Sequence, residues 1–462
     1  MNRELARVAT AGAAGALLLG LAACGGGSGS GGADGERAAD GKVEITVAGM
    51  PPSTQPASQK DFLADVAAFE QANPTIKIKP TDTQYDVKTF AARLAAGQLE
   101  TVFRVPLTDP PSMIKRGQVA DLTADLKSLT HADFDTRLLA PASGPDGKVY
   151  GLPTEAYAAG LVYNRELFTK AGLDPDKPPA TWEDVRAAAK QINDKTGVPG
   201  FGMHSTSNTG GWILTTMTYA YGGRMEKEEG GTYVPAFDDA STRTVLDLLK
   251  AMRWEDKSMG TQQLRNFDDM LRDFASGKIG MMVGAPNLFS GYKLKFGGDP
   301  DKFGQTTLPM APGGGALLGG TVAVVSPKAT PEQRQAAVKW IDYYYLRPKY
   351  DVALAAKRAK QRKADNLIAG LPVLPFFTQA ISGPVIEAER ANSNVPWANF
   401  DTYINGVASQ EFVPEPPVAA QELYAALDTV VQAVLTRQDA DPAAELKKAV
   451  EKVTPILDRS QQ

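Results

Sequence analysis

The chain has 462 residues, 43% of them apolar and 22% charged, with a formal net charge of −4. That length is too great for one ordinary core and suits two domains, and the composition is that of a globular chain. No long basic run is present, which excludes the concentrated cationic face that nucleic acid requires.

Residues 1–24 read as a processing signal. Arg3 and Arg7 give a positive start, diluted by Glu4, and Val8 to Ala23 is too short and too rich in Gly and Ala for a membrane span. Leu21-Ala22-Ala23-Cys24 has the form of a bacterial lipobox, cut before a cysteine that carries lipid; the alternative is a secretory signal with an incidental cysteine. Cys24 is the only cysteine, so no internal disulfide forms and no second thiol serves catalysis or zinc. The expectation is a signal peptide over 1–23, lipidation at Cys24, and a flexible tether rich in Gly, Ser and Ala over 24–41.

Lys42 to Ala48 alternates apolar and polar residues and reads as a first strand, ended by Gly49 and Met50-Pro51-Pro52. Ser58 and Asp61 suggest a capping box for a helix with Phe62, Val66 and Phe69 on one face, stopped by Asn73-Pro74. Ile76 and Ile78 begin a second strand, Val87 to Ala96 is a helix closed by Gly97, and Val102 to Leu107 is a third strand. This alternation argues for a parallel α/β sheet. Ligands collect beyond the C-terminal ends of such strands, which makes Asp109 a candidate.

Residues 146–173, DGKVYGLPTEAYAAGLVYNRELFTKAGL, read as the crossing between two lobes. Lys148 to Leu152 forms a strand stopped by Pro153, and Gly160 to Tyr163 forms another. Asn164 then caps a short helix that leaves through Gly172. Further on, Thr181 caps a helix to about Lys195, Trp212 to Tyr221 is apolar and aromatic, Ser241 to Trp254 is amphipathic, and Gln333 to Tyr345 is helical.

The motif D-G-K-x-Y-G-L-P, then Y-N-x-x-L-F-x-x-A-G-L, then Pro179, Thr181, Trp182 and Asp184, resembles the extracellular solute-binding proteins of ABC importers. Within them it is similar to the sugar-binding, maltose-binding-protein-like branch (family 1). Phe274 to Met282, Leu308 to Gly313 and Gly319 to Val322 extend the likeness in the family's order. The resemblance implies an α/β, two-lobed periplasmic-binding-protein-like fold (class II) with mixed, mostly parallel sheets flanked by helices and a hinge. It places 42–153 with 279–342 in a first lobe and 154–278 with 343–462 in a second, the chain returning to the first lobe as a strand near Ile279. The family's Pro-Asp before the third strand is Glu100-Thr101 here, and its polar loop after strand one is Met50-Pro51-Pro52.

Sugars need carboxylates and amides for their hydroxyls and aromatic rings for their apolar faces. On that basis the candidate ligand-binding residues are Met50, Asp109, Glu155, Tyr157, Trp212, Asn287, Gly320 and Trp397. Each has a plain structural reading beside it: Trp212 and Trp397 as core residues, Glu155 as a solvated carboxylate, Gly320 as a turn glycine.

The inventory argues against enzymes and cofactors. His131 and His204 have no metal spacing, Gly313-Gly314-Gly315 lacks the Gly-Lys-Ser/Thr of a phosphate loop, and no Gly-x-Ser-x-Gly elbow is present. No metal, cofactor or catalytic residue is expected. The expected function is an extracytoplasmic, lipid-anchored, monomeric protein that captures a sugar or oligosaccharide by hinge closure and delivers it to ABC permease subunits in the membrane. Alternatives are a solute-sensing receptor, a binder of peptide, polyamine or polyol phosphate, and, remotely, a secreted glycoside hydrolase.

Overall fold

The computed structural model describes residues 41–461. The expected signal peptide, Cys24 and nearly all of the tether lie outside the described residues.

Eleven strands are described: β1 (Val43–Val47), β2 (Ile76–Pro80), β3 (Val102–Pro106), β4 (Gly151–Ala158), β5 (Gly160–Asn164), β6 (Glu226–Glu229), β7 (Thr232–Pro235), β8 (Met281–Gly284), β9 (Phe303–Thr307), β10 (Ala316–Val325) and β11 (Phe412–Pro414). One sheet runs in the order β11-β10-β3-β1-β2, with β4 also paired to β10. Within it β1 is parallel to β2 and β3, as the alternation of strands and helices implies. β10 runs antiparallel to β3 and β4. A second sheet has the order β8-β5-β9, and β6 and β7 form a separate hairpin.

Each sheet has its own apolar core. Ile45, Val47, Phe62, Phe69 and Trp340 belong to the first, which gathers on the six-stranded sheet. Leu161, Trp182, Ile192, Leu214, Leu427 and Val431 belong to the second. A third cluster, with Phe274, Phe289, Phe303 and Phe400, covers the other face of the three-stranded sheet. The period of two decides this: on β5, Leu161 and Tyr163 enter the second core while Val162 enters the third.

Between β4 and β5 the chain passes from one sheet and core to the other. Ala158 packs in the first core and Ala159 in the second. Asn164 accepts a hydrogen bond from the Leu167 N–H at 3.0 Å, and Gly172 ends the short helix at φ +78°. Thr181 and Asp184 form a reciprocal capping box. A second passage lies between β9, which pairs with β5 in the second sheet, and β10, which belongs to the first; along β10, Leu317 faces the second core while Ala316 and Leu318 face the first.

Four expectations need correction. Pro153 does not stop its strand: β4 continues to Ala158. Proline lacks an N–H, and β4 is paired only with β10, whose register shifts between Thr321 and Val322, opposite this residue. The first long helix starts at Pro56 with no side-chain cap, so Ser58 and Asp61 are not its capping box. The strand after Ile279 does not return to the first lobe. β8 pairs antiparallel with β5 in the second sheet, and the chain returns later, with β10. Nor does 343–462 lie wholly in the second lobe, because Leu374, Phe376, Tyr403 and Val407 pack in the first core and β11 pairs with β10.

Candidate functional site

A cavity of about 190 Å³ opens beside the crossing. Tyr157 comes from β4, His204 from the loop before the helix Thr209–Ala220, and Thr209 from that helix's first position. Trp212 comes from the first turn of that helix. Phe267 opens the helix Phe267–Ala275, and Val283 and Gly284 at the end of β8, with Ala285, Asn287 and Leu288 after it, line another wall. The lining holds no Lys, Arg, Asp or Glu.

Trp212 is held in place by its helix. The Asp428 carboxylate accepts hydrogen bonds at 2.8 Å from both the Asn208 and the Gly211 N–H, satisfying donors that a helix start leaves free. A Cβ on Gly211 would meet the Tyr424 carbonyl oxygen at 2.2 Å, so glycine lets this helix press against the helix Ala420–Thr436. The indole is half-buried, packed on the second core and open to the cavity.

Tyr157 pairs with Gly319 across the β4–β10 ladder, and its ring covers that glycine, where a Cβ would lie 2.4 Å from the ring. Burial, reinforced by the nearby Glu415 and Glu155 carboxylates, pushes its phenol well above the ordinary range. His204 is 3% exposed, and its ring meets Phe267 edge-on at 5.8 Å. Burial lowers its pKa to about 4, so the imidazole is neutral at physiological pH.

Of the sequence candidates, the structure brings Tyr157, Trp212 and Asn287 together in this lining. Asp109 lies outside it, half-buried beyond β3, where it accepts a hydrogen bond from the Thr108 hydroxyl at 2.6 Å and another from Tyr85. Met50 is half-buried against the first core with its N–H bonded to the Thr81 carbonyl at 2.9 Å. Glu155 is exposed and paired with Arg104 at 3.2 Å. Gly320 serves strand pairing: at φ +153°, a Cβ would meet the Glu155 carbonyl oxygen at 2.0 Å.

Trp397 is a correction. It is buried in the third core, and its indole N–H donates to the Gly370 carbonyl at 2.8 Å. Its flanking Asn394-Val395-Pro396 suggested an irregular loop, but Val395, Trp397 and Phe400 all turn inward.

Sequence reasoning passed over His204, Thr209, Phe267, Leu288 and, nearby, Glu415. The histidine was weighed only for metal spacing, and no run of residues marks it as a cavity wall. Glu415, fixed between Pro414 and Pro416, accepts a hydrogen bond from the Tyr424 hydroxyl at 2.7 Å. Burial raises its pKa to about 7 against the lowering effect of that bond, and Asp109 adds to the rise. A much smaller recess of about 10 Å³ beside Tyr85, Phe90 and Arg93 has room for a water at most. Among the described residues, no group of three or more His, Cys, Asp or Glu is placed to hold a metal ion, and no helix is long and apolar enough to cross a membrane.

Residues 52–348 match the sequence profile of the bacterial extracellular solute-binding protein family. A chain of Brucella abortus (strain 2308), named only as a binding protein, is 26% identical over 311 residues, covering 66% of this chain and 72% of the relative. Among solved structures, the cyclic alpha-maltosyl-1,6-maltose binding protein of Arthrobacter globiformis superposes with a TM-score of 0.69 at 21% identity, covering 91% of this chain and 100% of that one. UgpB of Mycobacterium tuberculosis in complex with glycerophosphocholine gives 0.67 at 16% identity, again over 91% of this chain and 100% of the other. At these identities the likeness is one of fold: mixed α/β sheets flanked by helices in the two-lobed arrangement of periplasmic binding proteins.

Proposed function

The chain belongs to the bacterial extracellular solute-binding protein family, and from that premise we propose that its solute is a neutral carbohydrate, held against Trp212 in the cavity beside the crossing. Solute-binding proteins of ABC importers take up small solutes and work with membrane permeases, and this chain is one of them. Its relatives are binding proteins, not enzymes; that this chain leaves its solute chemically unchanged is part of the proposal.

The observation that carries the reading is the chemistry of the lining. Trp212, Phe267 and Tyr157 offer apolar ring faces, and Asn287, Thr209, His204 and the Tyr157 hydroxyl offer uncharged hydrogen-bonding groups. A pyranose presents the same mixture, an apolar C–H face and a rim of hydroxyls. The Arthrobacter neighbour is named for an oligosaccharide, and the Mycobacterium neighbour holds a phosphodiester. A phosphate calls for charge-assisted donors such as Arg or Lys, and this lining has neither.

Capture follows from the two crossings. The body built on the six-stranded sheet contributes Tyr157, and the body around the second core contributes Trp212 and Asn287. A solute touching both favours the closed arrangement by its differential affinity for the two states. In this reading Cys24 carries the lipid, residues 24–41 form the tether outside the cell membrane, and an ABC permease receives the solute from a monomer.

The test is titration of the purified chain with a carbohydrate library and with glycerol 3-phosphate and glycerophosphocholine, followed by thermal shift. Saturable stabilisation by a sugar and none by the phosphates is expected. Stabilisation by a phosphate ester alone would overturn the reading.

A further inference from the structure

The chain carries a net charge of −4, yet residues 357–363 read KRAKQRK, with no acid among them. They lie on the helix Val352–Ala364, which buries Ala355 and Ala359. Lys357, Lys360, Arg362 and Lys363 are exposed. Cations one helical turn apart repel each other, so such a row costs stability unless an anion meets it.

The acids nearby are spent elsewhere. Asp65 pairs with Arg358 at 3.6 Å, Asp351 pairs with Arg347 at 2.9 Å, and Asp365 accepts from the Gln361 amide at 2.9 Å. The helix Gln379–Ala391 packs alongside with Glu387, Glu389 and Arg390, and offsets one charge. Arg362 donates to the Ile368 carbonyl at 2.6 Å and Lys363 to the Ser393 carbonyl at 3.3 Å, contacts that hold the side chains without neutralising them. Lys357, Lys360, Arg362 and Lys363 form no ion pair among the described residues. Val352 and Leu367, just outside the row in the chain, are 41% and 40% exposed.

The row also stands near the place where the chain enters the first body. The Val43 N–H donates to the Thr75 carbonyl, just past the end of the helix Pro56–Ala72. Asp65, the partner of Arg358, lies about 10 Å back along that helix from Ala72. Residues 24–40 span at most about 60 Å, so a lipid on Cys24 keeps this face within that reach of a membrane.

We infer that the helix Val352–Ala364 docks on the headgroups of anionic phospholipids in the membrane that anchors the chain, with Lys357, Lys360 and Lys363 toward the phosphates. The inference rests on the lipid-anchored reading of Cys24. Each cation near an anionic surface is worth about a fivefold preference. That is weak for a free protein and effective once a tether confines the body. A lipid surface also gives Val352 and Leu367 a shallow apolar contact, which a free anion does not.

The experiment uses the mature lipidated chain in vesicles of phosphatidylcholine alone and of equal parts phosphatidylcholine and phosphatidylglycerol. Cys24 is the only native cysteine, so a thiol introduced elsewhere takes a dye cleanly. Energy transfer to a headgroup acceptor is read from Ala353→Cys, exposed on this helix, and from Glu451→Cys, exposed on a helix of the second core. Transfer from position 353 should rise with phosphatidylglycerol and return to its phosphatidylcholine level in high salt. Position 451 should not respond. The combined changes Lys357→Gln, Lys360→Gln and Lys363→Gln should lower the docked-to-free ratio about fivefold per lysine, with thermal stability and sugar affinity unchanged. Equal transfer from 353 in both vesicles, or an undiminished rise in the glutamine variant, overturns the inference and leaves the lipid-anchored reading intact. A chain that carries no lipid at Cys24 and stays with neither vesicle overturns that reading, and the inference with it.

Discussion

Trp212 and Trp397 are the same residue in two different situations. Both pack on apolar cores, and both sit at places where the sequence allows a ligand. Trp397 is closed in on every side and spends its N–H on Gly370. Trp212 stands at the start of a helix anchored by Asp428, with one side left to a cavity. An aromatic ring becomes a binding surface when its neighbours fix it without covering it, and that depends on partners far away in the chain, such as Asp428 and Tyr424.

The largest expected effect separates the two directly. Trp397→Ala should cost about 3–5 kcal/mol of stability by emptying a packed core site. What remains folded should bind sugar with unchanged affinity. Trp212→Ala should do the reverse, weakening sugar binding by roughly thirtyfold, as for a buried aromatic anchor, with a much smaller loss in denaturant midpoint. Similar profiles for the two variants would erase the distinction.

A second prediction concerns buried groups inside the same body. Glu226 is buried with one oxygen unpaired and the other accepting from the Val418 N–H at 3.2 Å, and burial raises its pKa to about 8. The folded chain therefore holds this proton longer than the unfolded chain, whose glutamates titrate near 4.5. Its contribution to stability is full below pH 4.5 and is lost as pH rises through 8. His204 acts in the opposite sense, losing stability as pH falls from 6.5 through 4, so the window above 6.5 belongs to the carboxyls. Between pH 6.5 and 8 the melting temperature should fall, by about 1.4 kcal/mol of stability per unit of unfavourable ionisation. Glu226→Gln should remove most of that fall, leaving the smaller share of Glu415 up to about pH 7. A slope unchanged in the variant would place the cause elsewhere.

The β4–β10 ladder allows a finer comparison of neighbouring glycines. Gly320→Ala strikes the Glu155 carbonyl and should cost about 1–3 kcal/mol, measured by urea unfolding. Gly319→Ala strikes the Tyr157 ring, so it should reduce sugar affinity more than stability. The smallest effect belongs to Glu155→Gln. Its exposed pair with Arg104 should be worth about 0.5 kcal/mol or less, and sugar affinity should change less than threefold.

The α/β alternation and the helix caps at Asn164 and Thr181 were legible because they depend on local chemistry, such as alternation, capping and glycine exits. The body to which β8 and β11 belong was not, since strand pairing between segments so far apart in the chain leaves no local mark. Tyr157, Trp212 and Asn287, chosen because carbohydrate chemistry asks for those types, come together in the lining of one cavity. His204 was passed over because no run of residues marks it as a cavity wall; distant segments bring it there. Trp397 lies outside the lining because its Asn-Val-Pro segment, irregular as expected, is packed into the third core.

Tryptophan fluorescence during sugar titration tests the central claim most directly, since the chain has five tryptophans and one of them, Trp212, lines the cavity. The account predicts a saturable change in wild type that persists in Trp397→Phe and vanishes in Trp212→Phe. A sugar-dependent change of undiminished size in Trp212→Phe would contradict it.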